Sequence, residues 1–197
     1  LITLNDGSVD GANVVIAGSG NDDVTSTGAA DDSVIGDNGY IRWNASGVMT
    51  EASSTDNALG SDDMISLAAG NHLVIGGQGI DTITTADGND IVIGDNGTAS
   101  FTDGHLITLI STDVNDTTGG DDTINLGNGF HRIIGGTGTD TITTDTGMDH
   151  VIGDHGSLTY NVSDILQEAT SLLPSQGARD LITLNDGSVD GANVVIA

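Results

Sequence analysis

Short apolar runs recur along the chain at a steady pitch, separated by polar, glycine-bearing turns. Ile65, Val74, Ile83, Val92 and Phe101 stand nine residues apart, and Gly70, Gly79, Gly88 and Gly97 keep the same beat. Nine residues suffice for one strand and one turn, since glycine supplies the positive φ that tight turns need and a β-branched run after it reads as a strand. Two beats make an 18-residue coil that gives one strand to each of two sheets. The pattern predicts an all-β fold, a parallel β-solenoid of the β-roll type, with Ile65 stacked on Ile83 and Val74 on Val92.

Alternation along a strand assigns the faces. If Val15, Val34, Val74, Val92, Ile133 and Val151 point into the roll, then Ile16, Ile35, Ile75, Ile93, Ile134 and Ile152, each the next residue, point out. A row of isoleucines is not left in water. Either inserted segments fold back over this sheet, or a neighbouring chain packs there by lateral self-association. On the other sheet the outward Thr82, Thr84, Thr141 and Thr143 reflect ordinary strand propensity.

The beat is interrupted at regular intervals. The segment from Gly60 aligns position for position with the one from Gly119, and a third copy begins at Gly177 and resumes at Gly18, because residues 181–197 repeat residues 1–17 without a change. The chain therefore reads as a window on a tandem array of period 180, divided into three units of about 59, 58 and 63 residues. The units run 1–59, 60–118 and 119–176, with 177–197 opening the next, and carry insertions at 40–59, 98–118 and 157–176. The first two insertions alternate apolar and polar residues about a glycine, which predicts β-hairpins. In the third, Ile165, Leu166, Ala169 and Leu173 also have helical spacing ahead of Pro174, but a hairpin is favoured.

Composition narrows the picture. With 3% aromatic residues and 30 glycines among 197 residues, the chain has few large side chains for a thick core. It carries 29 acidic residues against Arg42, Arg132 and Arg179, for a net charge of −26. That balance excludes nucleic acid, whose binding depends on cations meeting phosphates, and anionic membrane surfaces. No apolar run is long enough for membrane insertion. The regular Val and Ile pairs distinguish the chain from a disordered acidic tail. Without cysteine there are no disulfides, thiolate metal sites or cysteine nucleophiles. The acidic surplus is nearly all Asp, a hard oxygen ligand suited to Ca²⁺.

The chemistry concentrates in three nonapeptides: GGQGIDTIT at 76–84, GGTGTDTIT at 135–143, and AGSGNDDVT at 17–25 with one Ala for Gly. These resemble the G-G-x-G-x-D-x-U-x motif of the repeats-in-toxin (RTX) calcium-binding β-roll family, a likeness covering 36 to 40 residues of each unit. The resemblance implies that Asp22, Asp81 and Asp140 ligate Ca²⁺ with turn carbonyls and an Asp of the adjacent coil. Asp63 and Asp122 lie eighteen residues before Asp81 and Asp140, and Asp180 precedes the next-period counterpart of Asp22. Strands stack about 4.8 Å apart, so two such carboxylates without a cation repel by roughly 3 kcal/mol at an effective dielectric near 20. On the other side of the roll the corresponding Asp90, Asp149 and Asp32 depart from the family pattern, because His72, His131 and Asn13 occupy the partner positions. Imidazole ligates Ca²⁺ poorly, which suggests completion by Asp37, Asp95 and Asp154 of the recurrent V-I-G-D segment. His72 and His131 read as solvated turn residues, with a transition-metal role as the alternative.

No nucleophile elbow, HExxH or P-loop pattern occurs, and no enzyme activity is expected. The expected function is a calcium-stabilised structural repeat of a long extracellular fibre, adhesin stalk or matrix filament. It would be secreted or held at the cell surface, with neighbouring repeats of the same array as partners. The alternative is the calcium-dependent folding and secretion module of an RTX-like secreted toxin or hydrolase.

Overall fold

The structure is a computed structural model and describes residues 1–4, 11–113, 117–173, 175–186 and 193–197. Among these it is all-β, without a helix. The chain opens with β1 (Ile2–Leu4), β2 (Val14–Ile16), β3 (Asp23–Ser26) and β4 (Ser33–Ile35), then makes a hairpin of β5 (Gly39–Trp43) and β6 (Met49–Ser54). Four short strands follow, β7 (Met64–Leu67), β8 (Leu73–Ile75), β9 (Thr82–Thr85) and β10 (Ile91–Ile93), and a hairpin of β11 (Gly97–Thr102) and β12 (His105–Ser111). The pattern repeats with β13 (Thr123–Leu126), β14 (Arg132–Ile134), β15 (Thr141–Thr144) and β16 (His150–Ile152) and a hairpin of β17 (Gly156–Tyr160) and β18 (Leu166–Ser171). It closes on β19 (Leu181–Leu184) and β20 (Val194–Ile196).

The strands outside the hairpins alternate between two seven-stranded sheets, ordered β1-β3-β7-β9-β13-β15-β19 and β2-β4-β8-β10-β14-β16-β20. Every pairing within both is parallel. The expected registers occur: Ile65 pairs with Ile83, and Val74 with Val92. Stacking continues across the hairpins, where Val24 pairs with Ile65 and Ile83 with Ile124, although each pair is separated by a full excursion of the chain.

All three insertions are hairpins, including the one with helical spacing, whose Pro174 lies outside the described residues. They join edge to edge into a six-stranded antiparallel sheet, β18-β17-β12-β11-β6-β5. In the outer two, one Asn side chain organises the turn. Asn44 Oδ1 accepts the amides of Ser46 and Val48, and Asn161 Oδ1 those of Ser163 and Ile165. The middle one turns on Asp103 and Gly104, at φ of 52° and 86°, as a two-residue hairpin loop of the Asp-Gly kind requires.

Two apolar layers follow from the strict alternation of three-residue strands. Val34, Val74, Val92, Ile133 and Val151 pack between the two parallel sheets against Val24, Ile65, Ile83, Ile124 and Ile142. Their neighbours Ile35, Ile75, Ile93, Ile134 and Ile152 point the other way and are buried beneath Ala52, Ala99, Leu109, Leu158 and Tyr160 of the hairpin sheet. The insertions therefore cover the isoleucine row. Of the six residues named for lateral self-association, five are used inside the chain, and Ile16, in an outermost strand, is 44% exposed. Ile93→Ala is expected to cost about 2–5 kcal/mol in denaturant unfolding, as other large-to-small changes at fully buried sites do. Loss of under 1 kcal/mol would mean that the hairpin sheet does not seal this layer.

The duplicated segments take equivalent places at opposite ends. Strands β1 and β2, from residues 1–17, are the outermost strands on one side of the two parallel sheets, and β19 and β20, from 181–197, on the other. Residues 5–10 and 187–192 of these segments lie outside the described residues.

Candidate metal centre

The chain passes from the second parallel sheet back to the first through two kinds of link. Residues 76–81 and 135–140 turn directly; at the intervening passes a hairpin leaves the corner and returns. The direct turn is glycine-dependent at Gly77 and Gly79, with φ of 121° and 133°. Immediately before it a Cβ on Gly76 would overlap the Gly94 carbonyl and the Asp81 carboxylate.

Every link ends on an aspartate that opens a strand of the first sheet, and these aspartates form one continuous ladder. Asp63 Oδ1 accepts the backbone amide of Asp22 at 2.8 Å, Asp81 that of Asp63 at 2.8 Å, Asp122 that of Asp81 at 2.8 Å, Asp140 that of Asp122 at 2.9 Å and Asp180 that of Asp140 at 3.0 Å. The pairs Asp63/Asp81 and Asp122/Asp140, legible from their 18-residue spacing, are adjacent rungs. So are Asp22/Asp63 and Asp81/Asp122, which the intervening hairpins disguise.

The second oxygens of this ladder have no partner. Oδ2 of Asp63, Asp81, Asp122, Asp140 and Asp180 is buried without a hydrogen bond. Each lies against the Cα of a glycine that ends a strand of the second sheet, namely Gly36, Gly76, Gly94, Gly135 and Gly153. At the first four of these the carbonyl oxygen of the glycine one layer on converges on the same space. A carboxylate oxygen and a carbonyl oxygen thus face each other with no donor between them. Burial accordingly pushes Asp63 up to about 7 and Asp81 and Asp140 to about 8, with neighbouring carboxylates adding to the shift. Asp122 is raised well above the ordinary carboxylate range, and Asp180 is raised also, again by burial first.

Asp37, Asp95 and Asp154 belong to this corner and not, as expected, to the other one. Asp90 and Asp95 stand at opposite ends of the three-residue strand β10. Asp95 Oδ1 accepts the Gly120 amide at 2.8 Å, while its Oδ2 takes the Thr137 amide and the Thr137 hydroxyl, the latter at 2.8 Å. Asp37 accepts the Gln78 amide at 2.6 Å, and Asp154 that of Ala178 at 2.8 Å. They tie the necks of the hairpins to neighbouring links. Asp37 is pushed up to about 6 and Asp95 well above its usual value, chiefly by burial. Among the described residues no three His, Asp or Glu side chains converge closely enough to hold a metal ion by themselves.

The opposite corner solves the same stacking problem with hydrogen bonds. Its ladder runs Asn13, Asp32, His72, Asp90, His131, Asp149, Asn193, each backbone amide donating to the side chain of the next rung at 2.7–3.3 Å. The histidines are buried rungs, not solvated turn residues. Nδ1 accepts an amide, and Nε2 stands 2.9 Å from the Ala68 carbonyl in His72 and 3.0 Å from the Gly127 carbonyl in His131, an arrangement that suits a neutral ring protonated on Nε2. Asp90 and Asp149 are satisfied on both oxygens, because Thr85 and Thr144 donate hydroxyls to Oδ2 at 2.6 Å. Asp32 Oδ2 lacks such a partner. Sequence reading passed over these threonines, although each stands five residues before its Asp in both units. Thr85→Val is expected to cost about 1–3 kcal/mol in chemical unfolding by leaving Asp90 Oδ2 without a donor. Thr84→Val, on the exposed face next door, should stay within about 0.5 kcal/mol and serves as the control.

No family model, curated protein or solved structure matches this chain.

Proposed function

We propose that this chain is a calcium-stabilised β-solenoid segment of a long extracellular structural protein, a fibre, stalk or matrix filament. The observation that carries the reading is the row of five buried carboxylate oxygens without partners, four of them opposed to glycine carbonyls. Such a site has oxygen ligands only, two of them from each layer, and lacks any donor; a hard divalent cation is the partner that reverses its repulsion. Asp22, Asp63, Asp81, Asp122, Asp140 and Asp180 would hold the ions with those carbonyls. Bound calcium would supply positive charge between layers, tying folding to its concentration, and millimolar extracellular levels suffice for modest sites.

The structural role is supported by the tandem repetition. Identical segments occupy opposite outer edges of the same sheets, so that added periods extend them, and units that bury their faces on neighbours build length. The likeness of 76–84 and 135–143 to RTX nonapeptides supports calcium under either extracellular reading. Interruption by a hairpin at alternate links favours the filament over a secretion module of uninterrupted nonapeptides. Calorimetric titration of the chelated chain with CaCl₂ is the test. Saturable binding of more than one ion, abolished when Asp81, Asp122 and Asp140 are changed together to Asn, is expected; no heat up to about 10 mM would overturn the calcium assignment.

A further inference from the structure

We propose that the groove between the hairpin tips and the histidine-bearing corner binds a small hydroxylated carboxylate, of the hexuronate kind, through Arg132. This site is remote in kind from the carboxylate ladder and does not depend on its metal.

Arg132 opens β14 in a row whose register partners in successive layers are Leu73, Ile91 and His150. Apolar side chains fill the Leu73 and Ile91 positions, so a cation at the Arg132 position needs a reason. The guanidinium lies 4.0 Å from the centroid of Phe130 and 5.5 Å from that of Tyr160, contacts that hold a cation without neutralising it. Only 9% of the residue is exposed. The chain has 29 acidic residues, yet none of those described forms an ion pair with Arg132, and Nε is buried without an acceptor. The Tyr160 hydroxyl, which favours the charged arginine, is engaged with His150 Nδ1 at 2.9 Å. Asp164, the carboxylate whose charge reaches Arg132, is held by His105 Nδ1 at 3.0 Å.

Arg132 lines a hollow of about 400 Å³ together with Asn89, Phe101, His105 and Asp164, and a second hollow of about 250 Å³ adjoins it, sharing Asn89 and Phe101. The size suits a monosaccharide. Asn89 is oriented by its Oδ1, which accepts the Phe130 amide at 2.8 Å, and its NH₂ group has no partner among the described residues. The hollow therefore offers two unpaired donors and an apolar ring in a molecule otherwise rich in acceptors. Donors without acceptors call for a ligand that brings oxygens, and an arginine fork selects a carboxylate. The field of the whole molecule opposes an anion at long range, but at physiological ionic strength it is screened beyond about 8 Å, leaving the local donors to decide.

The test is titration of the full ¹⁵N-labelled chain with D-glucuronate, with D-glucose as the neutral control, followed by NMR. Saturable shifts centred on Phe101, Asn89 and the Arg132 side chain are expected, with glucose at least about tenfold weaker because it lacks the carboxylate. Arg132→Gln should weaken glucuronate about tenfold. Asp164→Asn, on an exposed turn at a φ of 57° that Asn accepts, should tighten it by removing the nearby negative charge; this variant keeps the test decisive if Arg132→Gln does not fold. Shifts elsewhere, equal binding of glucose, or no response to Asp164→Asn would overturn the proposal.

Discussion

Chelating calcium at pH 8 is expected to unfold the chain, seen as loss of the β signal in far-UV circular dichroism, and about 1 mM Ca²⁺ should restore it. At that pH the ladder must keep ionised carboxylates buried a strand's spacing apart, each adjacent pair repelling by roughly 3 kcal/mol, against a total stability of about 5–15 kcal/mol for an ordinary domain. Two or three such repulsions consume it. The sharper form of the prediction is the variant with Asn at positions 81, 122 and 140. Asn Oδ1 can still accept the amide of the neighbouring rung, and its NH₂ group would donate where Oδ2 now faces a glycine carbonyl. The opposite corner already uses Asn at positions 13 and 193, both bonded into the ladder, at 3.0 Å for Asn13 and 2.7 Å for Asn193. This variant should keep its β signal in chelator and gain nothing from calcium. A wild-type chain equally stable with and without chelator would refute the cation-dependent ladder.

The metal-free chain should also be most stable in acid and lose stability as pH rises, the reverse of ordinary acid denaturation. The folded values of about 7 for Asp63 and about 8 for Asp81 and Asp140 lie above the unfolded value of 3.8. Between these limits the folded chain binds more protons than the unfolded one, so stability is fully present below about pH 4 and falls until pH passes about 8. Each group contributes at most roughly 1 kcal/mol per pH unit, and three titrating together give roughly 4 kcal/mol per unit at the steepest. Urea midpoints of the chelated chain at pH 5, 6 and 7 should fall steadily. In saturating calcium the slope should flatten or reverse, because the ion competes with those protons. A midpoint that rises with pH in chelator would show that the ladder carboxylates are not buried as described.

The rungs differ in how far they could be read ahead of the structure. Asp63 with Asp81 and Asp122 with Asp140 were legible because 18 residues is one complete pass through both sheets. Asp22 with Asp63 and Asp81 with Asp122 were not, since a hairpin of arbitrary length separates them and only stacking reveals that it adds nothing to the register. Asp37, Asp95 and Asp154 were placed at the wrong corner for a similar reason. Sequence order puts Asp95 near Asp90, while an extended strand carries the two to opposite sides of the sheet. Arg132 could not be singled out at all, because its significance is the lack of an acceptor.

The nine-residue beat by itself determined that the chain is all-β, which residues stack on which, and which apolar residues face inward. Turn chemistry and strand alternation are local, and both repeat too regularly to be read otherwise. Tertiary structure alone decided what covers the outward isoleucines, because edge-to-edge joining of three hairpins depends on contacts between segments far apart in the chain. It alone separated the two corners: one ladder closes its hydrogen bonds with His, Asn and Thr, and the other leaves five buried carboxylate oxygens open. Whether a buried polar atom has a partner is a property of three-dimensional neighbours.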